Sequence, residues 1–157
     1  MVASNQFRIR LATKSDVASL TPMRTDLWPE SSSAHHSAEL TRILDGSFPR
    51  VYPLFIFVAE ETDGALVGFL EVDLRSAADG CEESRPVGYV EGWFVTASRR
   101  RYGIGAALLA AAEDWARTHG CTEMASDTSI DNRLSQRVHR ASGFAVTARS
   151  ILYKKKL

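Results

Sequence analysis

Apolar and polar positions alternate with a period of two over residues 7–11, where Phe7, Ile9 and Leu11 interleave with Arg8 and Arg10, and this predicts a first strand. The period then lengthens. Thr13 with Asp16 three residues later resembles a capping box, and Leu20, Met23 and Leu27 recur at helical spacing, so a helix is expected toward Trp28, with Pro22 and Pro29 as candidate breaks. Ser31-Ser32-Ser33 opens a second short helix through Leu40, Ile43 and Leu44, which Asp45-Gly46 ends. Leu54 to Glu60 and Leu66 to Arg75 read as strands about an Asp63-Gly64 turn, residues 76–87 as a polar loop, and Gly88 to Val95 as the next strand. A helix from Gly103 presents Leu108, Leu109, Ala112, Trp115 and Ala116 on one face and stops near Gly120, with Trp115 read as core. Cys121 to Asp127 reads as a further strand. The alternation fits a mixed α/β fold, and residues 1–157 are expected to form one domain.

Composition narrows the class. At 157 residues and 45% hydrophobic, the chain is long enough to bury a sizeable core. No segment approaches the roughly 20 uninterrupted apolar residues of a membrane helix, and the start, Met1 to Gln6, lacks the charged and apolar regions of a signal peptide. Cys81 and Cys121 are too few for a disulfide framework or a cysteine-based zinc site. A cytoplasmic protein is expected. The zero net charge conceals a division: residues 1–95 hold 14 acidic against 8 basic residues, and residues 96–157 hold 5 against 11. A basic half suits an anionic cofactor and an acidic half a cationic co-substrate, because each field concentrates its partner.

The anion has a candidate seat. The run Val95-Thr96-Ala97-Ser98-Arg99-Arg100-Arg101-Tyr102-Gly103-Ile104-Gly105 joins a strand to an amphipathic helix through a cationic, glycine-rich loop. Glycines admit backbone N–H groups close to phosphate oxygens, the new helix offers its positive end, and the arginines add charge. A dinucleotide fingerprint needs a third glycine or alanine where Leu108 stands, and a Walker loop needs a Gly-Lys-Ser/Thr that is absent.

Arg100-x-x-Gly103-x-Gly105, followed after another strand by Asn132-x-x-Ser135-x-x-Val138-His139-x-x-x-Gly143-Phe144, resembles the GCN5-related N-acetyltransferase (GNAT) family. The stretches Pro86 to Val95, Cys121 to Asp127 and Val138 to Phe144, with Leu27-Trp28, are similar more narrowly to bacterial aminoglycoside 6'-N-acetyltransferases, from about residue 7 to Tyr153. The resemblance implies a central mixed, twisted sheet splayed at an acetyl-CoA cleft with flanking helices, and Gly143-Phe144 leading into another strand. It places the cofactor against Trp93, Phe94 and Val95, against Arg100, Arg101, Tyr102, Gly103, Ile104, Gly105 and Ala106, and against Asn132 and His139. It implies direct attack of an amine on the thioester, with no metal, Val95 N–H as the oxyanion donor and a frequent dimer. Most GNAT relatives carry a tyrosine where His139 stands, and the narrower group shares the histidine, here a candidate proton donor to the CoA sulfur. The loop Ala77-Ala78-Asp79-Gly80 lacks the tyrosine that this group often carries.

An amine must be neutral to attack, so a carboxylate is wanted. Asp127, ending one strand, is the first choice of proton acceptor and Glu91, on the strand feeding the loop, the second. Each can also pair with a substrate ammonium, and Trp28 either walls a sugar or closes the first helix as core. Adjacent His35 and His36 face different ways and form no metal set. Lys154-Lys155-Lys156, without interleaved aromatics, reads as a solvated tail rather than a nucleic-acid site. Three readings stay open at this point: acetylation of an aminoglycoside 6'-amine, acetylation of a polyamine, amino acid or protein amine, and a non-catalytic acyl-CoA sensor.

Overall fold

A five-stranded open sheet carries helices on both faces in the computed structural model, which describes residues 7–157. The signal-peptide reading of residues 1–6 lies outside them. The strands β1 (Phe7–Leu11), β2 (Phe55–Glu61), β3 (Leu66–Arg75), β4 (Val87–Val95) and β5 (Met124–Ser126) lie in chain order across the sheet. The first four form an antiparallel meander, and β4 and β5 run parallel. The helices are α1 (Val17–Leu27), α2 (Ser33–Asp45), α3 (Ile104–Thr118) and α4 (Arg133–Ala141).

The two-residue period of the strands sorts the core into two layers. Phe57, Ala59, Leu70, Val72 and Val90 face α3, where Ile104, Leu108 and Ala112 cover them. Ile56, Val58 and Phe69 face the other way, against Leu20 and Met23 of α1 and Leu40 of α2. Trp115 packs on Phe55 with ring centroids 4.9 Å apart, a core residue as expected. No helix among the described residues is long and apolar enough to cross a membrane.

Local chemistry explains most boundaries. Asp16 accepts the Thr13 N–H at 2.7 Å and opens a 3-10 turn that runs into α1. Ser32 caps α2 through the His35 N–H, and Gly46 ends it in the left-handed region. Pro22 does not break α1. Around it Thr21 Oγ donates to Val17 O at 2.7 Å and Thr25 Oγ to Thr21 O at 2.9 Å, so side chains supply extra hydrogen bonds where proline has no N–H.

Two expectations are corrected. The strand foreseen over Cys121 to Asp127 shrinks to Met124–Ser126, because only these residues keep ladder register with β4, at Gly88 to Val90. Gly143-Phe144 does not enter a strand. Gly143 (φ +91) instead terminates α4, the Phe144 N–H donates to His139 O at 3.0 Å, and residues 145–157 carry no ladder.

Candidate active site

The cationic loop and the acidic cleft meet where the sheet opens. Parallel pairing of β4 with β5 ends at Val90–Ser126, yet β4 continues beside β3 to Val95. Just past this fork, Glu71 of β3 pairs with Gly92 and Val72 with Val90, so Glu91 is the extra residue of a β-bulge. The Thr96 N–H donates to Val67 O on β3 at 2.9 Å. Counting back by two puts Phe94 on that same side, and aims the Trp93 and Val95 backbone groups at the side β5 has left. Val95 O already accepts Arg100 Nε at 3.0 Å.

Beyond β4, a 3-10 turn at Ala97–Arg99 leads to Arg101 and Gly103, both with left-handed φ (+67° and +82°). Gly103 is the N-cap of α3, and the first intrahelical bond runs from Ala107 N to Gly103 O. The N–H groups of Ile104, Gly105 and Ala106 therefore lack intrahelical acceptors and sit at the positive end of a 15-residue helix. Arg99 is held by Glu61 at 2.8 Å, whereas Arg100 and Arg101 have no carboxylate partner among the described residues. Exposed Tyr102 lies between them and the glycine. These are the donors a diphosphate needs, and they fit one.

On the α1–α2 side of the same fork lies a cleft of about 410 Å³, lined by Trp28, His35 and His36, by Glu30, Glu39, Glu71, Glu91 and Asp127, and by Arg24 and Arg50. Two of the predicted carboxylates, Glu91 and Asp127, thus meet in one cavity with Trp28. Asp127 is exposed and accepts the Tyr89 hydroxyl at 2.7 Å. Burial and this contact push the Tyr89 phenol well above its usual range, so it stays a neutral donor. Glu91 accepts Arg75 Nη2 at 2.7 Å. Trp28 both lines the cleft and packs as core. Its indole lies on the backbone of Gly92, where a Cβ would collide with it, and Arg24 sits 5.0 Å over its ring.

Several groups here escaped the sequence reading. Arg24 is buried, with Nε 2.8 Å from Glu71 Oε1 and Nη1 2.7 Å from Glu39 Oε2. Burial raises the Glu71 carboxyl to about 7 against the pull of Arg24. Asp73, two residues on and on the same face, is raised to about 6 by burial and by Glu91. The legible signals were two acids spaced by two inside an apolar strand, and an arginine four residues from both Leu20 and Trp28.

His139 stands across the fork on α4, edge-on to Trp93 at 5.8 Å and to Phe144 at 5.2 Å. Its Nδ1 is 2.8 Å from Ser135 O, an acceptor only, so Nδ1 carries the proton. Nε2 lies 2.9 Å from Ser126 Oγ, which donates its own hydrogen to Val90 O at 3.1 Å and is left as an acceptor toward the ring. Asn132, expected at the cofactor, caps α4: its Oδ1 accepts the Ser135 N–H at 3.0 Å. His36 is buried with Nε2 on Trp28 O at 3.0 Å, and no metal-binding cluster occurs among the described residues.

Known proteins share this fold. The acetyltransferase (GNAT) family pattern matches residues 20–144. Aminoglycoside N(6')-acetyltransferase type 1 of Klebsiella aerogenes is 40% identical over 149 residues, covering 95% of this chain and 96% of that protein. The enzyme of the same name from Serratia marcescens is 44% identical over 136 residues, 86% and 89% of the two chains. The structure of AAC(6')-Iy with the bisubstrate analog CoA-S-monomethyl-acetylneamine superposes with a TM-score of 0.84 at 38% identity, covering 96% and 99%. AAC(6')-Ih from Acinetobacter baumannii gives 0.83 at 28% identity over 96% and 99%. With the pattern matched from α1 to the end of α4 and relatives aligned over nearly its whole length, this chain belongs to the acetyltransferase (GNAT) family, among the aminoglycoside N(6')-acetyltransferases.

Proposed function

We propose that the protein transfers the acetyl group of acetyl-CoA to the 6'-amine of aminoglycosides, and so confers resistance to them. The observation that carries this is the joining, at one fork of the sheet, of a carboxylate-lined cleft to a cationic, donor-rich loop. A polycationic amino sugar matches the first and a CoA diphosphate the second.

Each residue then has a task. Arg100, Arg101 and the N–H groups of Ile104 to Ala106 hold the diphosphate. Trp93, Phe94 and Val95 flank the pantetheine arm along the edge of β4. Trp28 carries the sugar face, and Glu91 pairs with an ammonium group. Asp127 takes the proton that the 6'-ammonium must lose, with Glu91 through water as the second acceptor. The amine attacks the thioester carbon, the Val95 N–H stabilises the oxyanion, and the C–S bond breaks as the amide forms. His139 returns a proton to the CoA sulfur. Because Nδ1 is committed to Ser135 O, the ring donates from Nε2 as an imidazolium. The carboxamide NH2 of Asn132 is left for the cofactor.

The reading places a single catalytic domain in the cytoplasm, with no membrane or nucleic acid in its work. Two copies are proposed to pair, since residues 145–157 leave Val146, Ile151, Leu152 and Tyr153 exposed.

The test is CoA-thiol release from acetyl-CoA with tobramycin or kanamycin, beside paromomycin, which has a 6'-hydroxyl, and beside spermidine. Turnover with the first two alone is expected. Silence on the drugs with turnover on spermidine would make this a polyamine enzyme.

A further inference from the structure

The cleft already contains a cation of its own. Between α2 and β2 the chain runs from Gly46 to Leu54 without regular structure, and residues 49–54 make no backbone–backbone hydrogen bond among the described residues. Val51 on this connector is 91% exposed. From it Arg50 turns into the cleft, with Nη2 2.5 Å from Asp73 Oδ2 and 3.4 Å from Glu91 Oε1. Asp73 is only 4% exposed and does not line the cleft, so Arg50 stands between it and the open volume.

The two arginines that serve these acids are held differently. Arg75 belongs to β3, reaches the same Glu91 oxygen at 2.7 Å, and lies 3.2 Å from the centroid of the Tyr89 ring, so strand and aromatic face fix it. Among the described residues the polar partners of Arg50 are these acids alone. Even with both arginines present the pair is short of donors: among the described residues buried Asp73 Oδ1 has no hydrogen-bond partner, and Arg75 Nε lies 3.9 Å from it. A buried carboxylate oxygen without a donor is costly. An ammonium group, compact and with three donors, can reach both acids where the guanidinium reaches each through one nitrogen.

We infer that Asp73 and Glu91 form an ammonium subsite which Arg50 occupies in the free protein, and that substrate binding exchanges Arg50 for an ammonium of the substrate. Arg50 is then a specificity-determining residue. An amine with one positive charge cannot both present that charge to Asp127 for reaction and replace Arg50. An amine with several can. This deepens the aminoglycoside reading and rests on it for the nature of the substrate.

The experiment compares wild type, Arg50→Gln, Asp73→Asn and the double variant, with circular dichroism to check folding. It measures kcat and KM for tobramycin, and calorimetric binding of tobramycin without acetyl-CoA. Removing the competitor is expected to lower KM and Kd about three- to tenfold in Arg50→Gln, with kcat held. Adding Asp73→Asn should abolish that gain. A KM that rises or stays fixed in Arg50→Gln, or a gain that persists in the double variant, overturns the exchange. Should Arg50→Gln fail to fold, Arg50→Met takes its place: it keeps the apolar stem without the charge, so KM should fall in the same direction, and a higher KM would refute the idea. Wild-type silence on every drug overturns the function instead, a separate result.

Discussion

A histidine with one nitrogen committed to a carbonyl can give up a proton from the other only when it carries two. That is the position of His139, whose Nδ1–H faces Ser135 O and whose Nε2 faces the Ser126 hydroxyl. His139→Ala is expected to lower kcat about a hundredfold, within the range of general acid catalysis, while KM for acetyl-CoA changes little. Steady-state kinetics at saturating tobramycin checks this, and an unchanged kcat would remove His139 from the proton path. At this scale the sequence was legible where chemistry and spacing coincide. Glu91 and Asp127 could be placed at one cleft from their strand positions, and the structure brings both to the cavity that Trp28 lines, whereas His139 was pointed to by the family resemblance. Tyr89 could not be named, since a tyrosine in an apolar strand reads as core until the neighbouring Asp127 is seen to accept its hydroxyl. The cap made by Asn132 was passed over because the sequence reading set a cofactor contact above it, whereas Oδ1 takes the Ser135 N–H.

Between elements, the least expected tie is the ion cluster in which Arg24 of α1 joins Glu71 of β3 and Glu39 of α2. Glu71 is 2% exposed, and burial lifts its carboxyl from 4.5 to about 7. The native state thus holds this proton more tightly than the unfolded chain. The stability so gained is complete below pH 4.5 and lost as pH rises through 7. Glu71→Gln should remove this dependence. Relative to the variant, wild-type Tm is expected to rise by on the order of 5 °C between pH 7.5 and pH 5, counting a pK unit as roughly 1.4 kcal/mol. Parallel pH profiles in thermal denaturation would show that Glu71 keeps its charge throughout. Element order and type were readable from periodicity as far as β5, down to the Ser32 cap and the Gly46 stop, whereas α4 came only with the family resemblance. Lengths set by pairing were not. β5 is as long as its contact with β4 allows, and the bulge at Glu91 is a property of two strands together.

Across the molecule, the two charged halves of the sequence become two sides of one fork in the sheet. The acidic half supplies four of the five carboxylates around the cleft, and the basic half supplies Arg100, Arg101 and the α3 terminus. Such fields act over about 10 Å at 0.1 M salt and further in dilute buffer. They concentrate a charged ligand without touching the bond that breaks, so salt should weaken binding and spare chemistry. With acetyl-CoA saturating, raising the salt from about 20 to about 200 mM is expected to raise KM for tobramycin several-fold at nearly constant kcat, because the Debye length falls from about 20 Å to about 7 Å. Initial rates across that range decide it. A KM that holds steady would mean that short contacts with Glu91 and Asp127 alone bind the drug and that the surrounding acidic field contributes nothing. A kcat that fell with KM unmoved would instead put the salt-sensitive charges on the reacting groups, and the division of labour between the two halves would be wrong.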